Sequence, residues 1–129
     1  MFKRCLVLGG KGFIGSHLVN AILSTGMPVR VFDRAEAESL IAPALSSQVE
    51  MIEGDFEDAA SVAAALEGCD ICFHLISTTL PKSSNDAPGY DLQSNALSTI
   101  NLLEQAHKTG LKKIIFLSSG GTVYGTSNY

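Results

Sequence analysis

The sequence lacks several features that would each have fixed a class. It has no excess of positive charge: nine Lys and Arg stand against thirteen Asp and Glu, for a net charge of −4. A basic face that displaces counterions from phosphates is the footprint of nucleic-acid binding, and its absence excludes that class. No apolar run approaches the roughly 18 residues of a membrane-spanning helix. The stretch Cys5-Leu6-Val7-Leu8 behind Met1-Phe2-Lys3-Arg4 is too short for the apolar core of a secretion signal. Neither nucleic acid nor membrane is therefore expected among its partners. There are only three cysteines, an odd number without framework spacing, which fits a reducing, cytoplasmic setting. Cys69 and Cys72 form a C-x-x-C, but no second Cys/His pair stands at zinc spacing. They read as buried thiols rather than metal ligands, pointing to opposite faces if both lie in a strand. Internal repeats and low-complexity tracts are missing as well.

What is present is an apolar-leaning globular composition: 129 residues, 46% hydrophobic, 17% charged, mean hydropathy +0.23. That length suits one domain spanning residues 1–129. Short apolar runs alternate with helix-period segments. Strands are expected at Lys3 to Leu8, Val29 to Asp33, Val49 to Glu53, Ile71 to Ile76 and Lys113 to Leu117. Helices are expected at Gly12 to Ser24, at Ala35 to about Leu45 with Pro43 interrupting, at Asp58 to Leu66, and at about Tyr90 to Thr109. On the last of these, Leu92, Ala96, Ile100, Leu103 and His107 recur at helical spacing and read as the apolar stripe. Ser77 to Pro88, rich in Ser, Thr, Pro and Asn, reads as a functional loop. Strand–helix alternation implies an α/β fold with a parallel sheet and helices on both faces. The expected architecture is a Rossmann-like, doubly wound sheet of strand order 3-2-1-4-5, with its switch point between strands 1 and 4.

Chemistry enters with Gly9-Gly10-Lys11-Gly12-Phe13-Ile14-Gly15, a G-x-x-G-x-x-G between a strand and a helix. A diphosphate must reach main-chain N–H groups at a helix N-terminus, where any Cβ is an obstacle. Gly9 would make the turn, Gly12 admit the phosphates, and Gly15 let the helix approach the sheet. Asp33 ends the second strand, about 18 residues after Gly15, near the spacing of an acid that accepts from the adenosine ribose hydroxyls. Its charge opposes a 2′-phosphate and favours NAD over NADP. Arg34 and Lys11 are cations that would favour the phosphate, and Asp33 has the alternative role of capping a helix from Ala35. In Gly54-Asp55-Phe56-Glu57-Asp58, Asp55 could accept from the adenine amino group while Phe56 packs beside the ring. Asp58 reads as a helix cap.

Taken together these motifs are identified with a family. Residues 9 to 19 resemble the cofactor loop of the extended short-chain dehydrogenase/reductase superfamily and, more narrowly, of NAD-dependent epimerases and dehydratases. Gly54-Asp55-Phe56 is similar to that family's adenine-side motif. Phe73-His74-Leu75-Ile76 resembles the strand whose end lies under the nicotinamide ribose. Asn95-Ala96-Leu97-Ser98-Thr99 is similar to the helix that carries a pocket-facing Asn. Residues Leu117 to Gly125 resemble the loop that carries a catalytic Ser or Thr.

The resemblance implies an NAD-binding portion of a nucleotide-sugar epimerase or dehydratase. NAD would be held by Gly9, Gly12, Phe13, Ile14, Gly15, Asp33, Arg34, Asp55, Phe56, Leu75, Ile76, Ser77, Asn95, Ser118 and Ser119. A nucleotide sugar, expected to be a UDP-sugar, would be the substrate of a longer parent, and a homodimer through the long helices would follow the family. The family's catalytic hydroxyl falls by position on Gly120, so Thr122 is the nearest candidate, with Ser118 and Ser119 just before it. The family's Tyr-x-x-x-Lys is not found: Tyr90 is followed four residues on by Ser94, and Tyr124 by Asn128. A Tyr phenol, with a free pKa of about 10, needs an adjacent ammonium to act as a base near neutrality. The chain is accordingly expected to be the N-terminal part of a larger enzyme and inactive alone. A stand-alone dinucleotide sensor and an NAD(P)-dependent reductase of the same superfamily are the alternatives.

Overall fold

The computed structural model describes residues 1–77 and 86–118. Five parallel strands form one sheet in the order β3-β2-β1-β4-β5. They are β1 Cys5–Leu8, β2 Val29–Asp33, β3 Val49–Glu53, β4 Ile71–His74 and β5 Lys113–Phe116. The strand order and the helices on both faces are those expected. The chain runs outward from β1 to β3, then crosses back to β4, so the switch point opens between β1 and β4 at the ends where the strands finish.

Burial on both faces explains why the central strands read as unbroken apolar runs. Alternate residues of β1 serve opposite layers. Cys5 and Val7 join Val29, Val31 and Ile71 against Val19, Leu18 and Ile22 of helix α1, Phe13–Leu23. Leu6 and Leu8 join Phe32 and Cys72 against Val62, Ala65 and Leu66 of α3, Ala59–Leu66. Leu102 and Ala106 of the long helix complete that second layer. Truncating a fully buried leucine such as Leu6 or Leu66 to Ala would cost about 2–5 kcal/mol.

Some expectations need correction, and one holds. The helix expected from Ala35 is only α2, Pro43–Ser46; Pro43 begins it rather than interrupting it, because a proline suits a first turn and excludes the residue before it from helix. Cys69 lies before β4, not in it, and shares one core cluster with Cys72. The three cysteines are buried and free. The long helix is composite: α4 Pro88–Asp91, a π-helical turn Leu92–Leu97, and α5 Ser98–Thr109, ended by Gly110 in the left-handed region at φ 74°. Its buried face is Ser94, Ser98, Leu102 and Ala106, while Leu92, Leu97, Ile100 and Leu103 are each more than half exposed. Leu102 is the one large apolar residue on that buried face. Finally, Asp58 does cap α3, accepting from the N–H groups of Ala60 and Ser61. Among the described residues no helix is long and apolar enough to cross a membrane.

Candidate dinucleotide-binding site

A cleft of about 510 Å³ opens at the switch point. Its walls come from the loop after β1, the ends of β2 and β3, and the segment after β4: Gly9, Gly12, Phe32, Asp33, Arg34, Gly54, Asp55, Phe56, Leu75, Ile76 and Ser77 all line it. Of the residues expected to hold a cofactor, Gly9, Gly12, Asp33, Arg34, Asp55, Phe56, Leu75, Ile76 and Ser77 are thus brought together. Gly15 lies beneath the loop. Phe13 and Ile14 start α1 with exposed side chains that do not line the cleft. Asn95 is on the π turn, its amide donating to Asp91 Oδ1 at 2.7 Å, and is outside the lining. Ser118 follows β5 and is exposed. Ser119 and Thr122 lie outside the described residues, as do most of the Ser77–Pro88 loop and Tyr124.

The glycine loop has the shape a diphosphate requires. Gly9 sits at φ +81°, a conformation that L side chains rarely adopt, and Gly12 donates back to its carbonyl at 3.3 Å. A Cβ at Gly15 would land on the Gly9 carbonyl oxygen, so only glycine lets α1 start this close to the loop. At Gly12 a Cβ would meet only that same oxygen, at 3.5 Å, and otherwise project into open space. That space stands before the first turn of α1, whose N-cap Gly12 supplies no side-chain cap. The first N–H groups of a helix have no partners within it, and with the helix dipole they favour an anion.

Asp33 forms the adenosine end. Its Oδ2 accepts from the Lys11 N–H at 3.0 Å and its Oδ1 from the Arg34 N–H at 3.0 Å. Each carboxylate oxygen has two lone pairs, so both retain capacity for a ribose hydroxyl. Lys11, the cation of the glycine loop, is buried: its ammonium donates to the Arg34 carbonyl at 2.9 Å and pairs with Glu53 at 3.1 Å. Arg34 is exposed and pairs loosely with Glu36 at 3.7 Å. Among the described residues, five carboxylates, those of Asp33, Glu36, Glu38, Asp55 and Glu57, line the cleft against the one guanidinium of Arg34. Asp55 shapes its own turn by accepting from the Glu57 N–H at 2.9 Å. Phe56 is buried in the core with its ring 4.9 Å from that of His74, so it forms part of the floor.

His74, at the end of β4, was visible only as part of a motif. Its ring lies between Phe56 and Phe116. Its Nε2 is 3.1 Å from Thr99 Oγ1, which donates to the Asn95 carbonyl at 2.7 Å. Since that hydroxyl proton is committed, Nε2 carries the proton and donates, and Nδ1 is left buried with no partner among the described residues. Burial pushes the imidazole down to about 4, so it is neutral at physiological pH. Sequence reasoning also missed Gly10, where a Cβ would meet the Val31 methyls at 2.7 Å, and Tyr90, which lines the cleft from α4. Neither has a sequence signal beyond its neighbours.

A glycine turn against an uncapped helix, an acid at the end of β2, and a switch-point cleft define a dinucleotide-binding α/β protein. Comparison with known proteins narrows the class. The profile of the NAD dependent epimerase/dehydratase family matches residues 5–129, and the chain belongs to that family. It is 37% identical over 127 residues to UDP-glucose 4-epimerase of Mycolicibacterium smegmatis, covering 95% of this chain and 41% of that protein. It is 36% identical over 129 residues to 3 beta-hydroxysteroid dehydrogenase/Delta 5-->4-isomerase of Mycobacterium tuberculosis, covering 97% and 34%. The structure of Thermus thermophilus UDP-glucose 4-epimerase in complex with NAD is similar with a TM-score of 0.84 and 33% identity, over 96% of this chain and 40% of that one. The chain thus spans well under half the length of these relatives. The family's cofactor is NAD.

Proposed function

We propose that this chain is the cofactor platform of a nucleotide-sugar epimerase or dehydratase, and that its switch-point cleft holds NAD. The observation that carries the reading is the open space over Gly12 before the uncapped start of α1, with Gly15 removed from the way. The residues present fit the group. The main-chain N–H groups of the Gly12–Gly15 turn would bind the diphosphate, including those of Phe13 and Ile14, whose side chains need not take part. Asp33 would accept from the adenosine ribose, Asp55 would receive the adenine amino group, and Leu75, Ile76 and Ser77 would support the far ribose. When bound, NAD supplies a hydride acceptor that lets a sugar carbon be oxidised and reduced again. The hydroxyls of Ser118, Ser119 and Thr122 are too weakly basic to remove a proton unaided, with Thr122 the candidate for hydrogen-bonding a substrate oxygen. Asn95 would bear on the same pocket from the long helix.

The relatives named above act on a UDP-sugar and on a steroid, so a dehydrogenase of the same family is the second reading. UDP-sugar is favoured by the epimerase relative and by the solved epimerase. The domain reading, a single platform in residues 1–129 with the substrate held by further sequence, draws on the 41% coverage of that relative. A second copy of the parent protein would cover the apolar face of Leu92, Leu97, Ile100 and Leu103. A parent that scatters light as one protomer at high micromolar concentration would remove the dimer. The three free, buried cysteines support a cytoplasmic setting. Calorimetric titration with both dinucleotides tests the central reading: NAD should bind and NADP bind more weakly. Equal or tighter NADP binding would overturn it. The 129-residue chain alone should turn over no UDP-sugar in an NADH-absorbance assay, and turnover that follows the chain through a sizing column would refute that.

A further inference from the structure

Asp33 is not alone at the adenosine end. Lys11 is the one cation in the glycine loop, and a buried ammonium beside Asp33 would attract a 2′-phosphate entering there. Its side chain is only 6% exposed. Its Nζ donates to the carbonyls of Arg34 at 2.9 Å and Ala35 at 3.5 Å, and to Glu53 Oε1 at 3.1 Å. The two carbonyls hold the ammonium but leave its charge in place. Among the described residues, Glu53 is the carboxylate that pairs with it. Glu53 is the residue opposite Asp33 in the β2–β3 pairing, which brings the two carboxylate-bearing positions side by side. It also lines a recess of about 280 Å³ that shares Arg34, Glu36, Gly54 and Asp55 with the main cleft. The main-chain N–H of Lys11 meanwhile fixes Asp33 itself.

We propose that Glu53 is a specificity-determining residue: by neutralising Lys11 it withholds the buried cation at the adenosine end from a 2′-phosphate. Rejection of the phosphorylated dinucleotide then rests on the Glu53–Lys11 pair as well as on Asp33. The inference deepens the NAD reading and depends on it. A carboxylate and an ammonium about 3 Å apart present a small dipole to a dianion, whereas the ammonium alone presents a full charge. Specificity of this kind is a difference of affinities, built by withholding a favourable contact from the wrong ligand.

A double-mutant cycle tests it. NAD and NADP are titrated calorimetrically into the wild type, Glu53→Ala, Lys11→Met and the double variant, with circular dichroism melts to show that each is folded. Glu53→Ala should lower the ratio of NADP to NAD dissociation constants on the order of tenfold, and added salt should shrink that gain. In the Lys11→Met background the same substitution should move the ratio less than about twofold, because no cation remains to be released. Glu53→Gln repeats the test if the alanine variant melts early. A ratio unmoved by loss of Glu53 overturns the inference and leaves the NAD reading standing. An equal gain in both backgrounds also overturns it, since Glu53 would then act through its own charge. A wild type that binds neither dinucleotide overturns the cofactor reading itself.

Discussion

The two ends of the sheet use polar residues in opposite ways. Where the strands begin, charged groups close on one another. Asp70 accepts from the N–H groups of Lys3 and Arg4, pairs with Lys112 at 2.6 Å, and its carbonyl accepts from Lys112 and Lys113. It thereby ties the starts of β1, β4 and β5. Arg30, buried on β2, donates to the carbonyls of Ala65 and Glu67 at the C-terminus of α3 and pairs with Glu50 at 2.9 Å. Where the strands finish, the Gly12 turn, Asp33, Asp55 and Ser77 face a cleft. One end commits its polar groups to the fold alone, and the other also turns Asp33 and Asp55 toward an open cleft. Binding lost without stability, and stability lost without binding, should therefore separate by end.

The sharpest test is Gly15→Val. Its Cβ would strike the Gly9 carbonyl, so NAD affinity should fall on the order of a hundredfold or more by calorimetry. A variant that binds normally would break the comparison at the ligand end. At the other end, Arg30→Met should lower the unfolding free energy by about 2–4 kcal/mol in urea titration, because it orphans helix carbonyls and a carboxylate. NAD affinity of the folded fraction should stay within about twofold, since Arg30 lies a strand's length from the cleft.

Acid should act at both ends in different windows. His74 is held neutral by burial, so its folded value of about 4 lies below its ordinary 6.5. The unfolded chain binds the extra proton first, and stability falls as pH drops from about 6.5 toward 4. Asp70 is held down to about 2, first by Lys112 and then by the Lys3 N–H. Its contribution is complete above about 4 and is lost as pH falls through about 2. Thermal melts from pH 7 to 4 should show the His74 loss, and His74→Gln should flatten it. An unchanged slope would remove the imidazole from the account. The smallest effect is expected from Asp58→Ala, about 1 kcal/mol from the loss of a cap, read by the same melts with no change in NAD affinity.

The strands and the cleft were legible because their signals are local. Val29–Asp33 and Val49–Glu53 are fully buried or edge runs with clear ends, and the glycine spacing encodes a contact between backbone atoms seven residues apart or fewer. Asp58 announced itself by its place before an alanine-rich helix. The fate of Lys11 was not legible, because its partner Glu53 lies 42 residues away and meets it only through the β2–β3 pairing. Sequence showed a cation near a phosphate site; the fold supplies the carboxylate that neutralises it. The stripe of the long helix misled for a related reason. Hydrophobicity marks a face that wants covering, yet the buried residues of this helix are mostly small, Ser94, Ser98 and Ala106 beside Leu102. Phe56, expected to pack beside the adenine ring, is buried and lines the cleft from the core side.

The π turn at Leu92–Leu97 couples two tasks loosely. An α-helix advances about 100° per residue, and a π turn advances less, so it takes up an extra residue with little change in the bearing of what precedes it. Ser98–Thr109 is anchored on the sheet through Leu102 and Ala106, while Tyr90, on the far side of the π turn, forms part of the cleft wall. Deleting one residue between 92 and 97 would restore α geometry, keep Tyr90 on nearly the same bearing around the helix axis, and leave the anchor untouched. The helix is in effect a shaft with an expansion joint: the length of chain can change by one residue there while both the cleft wall and the core contact keep their places.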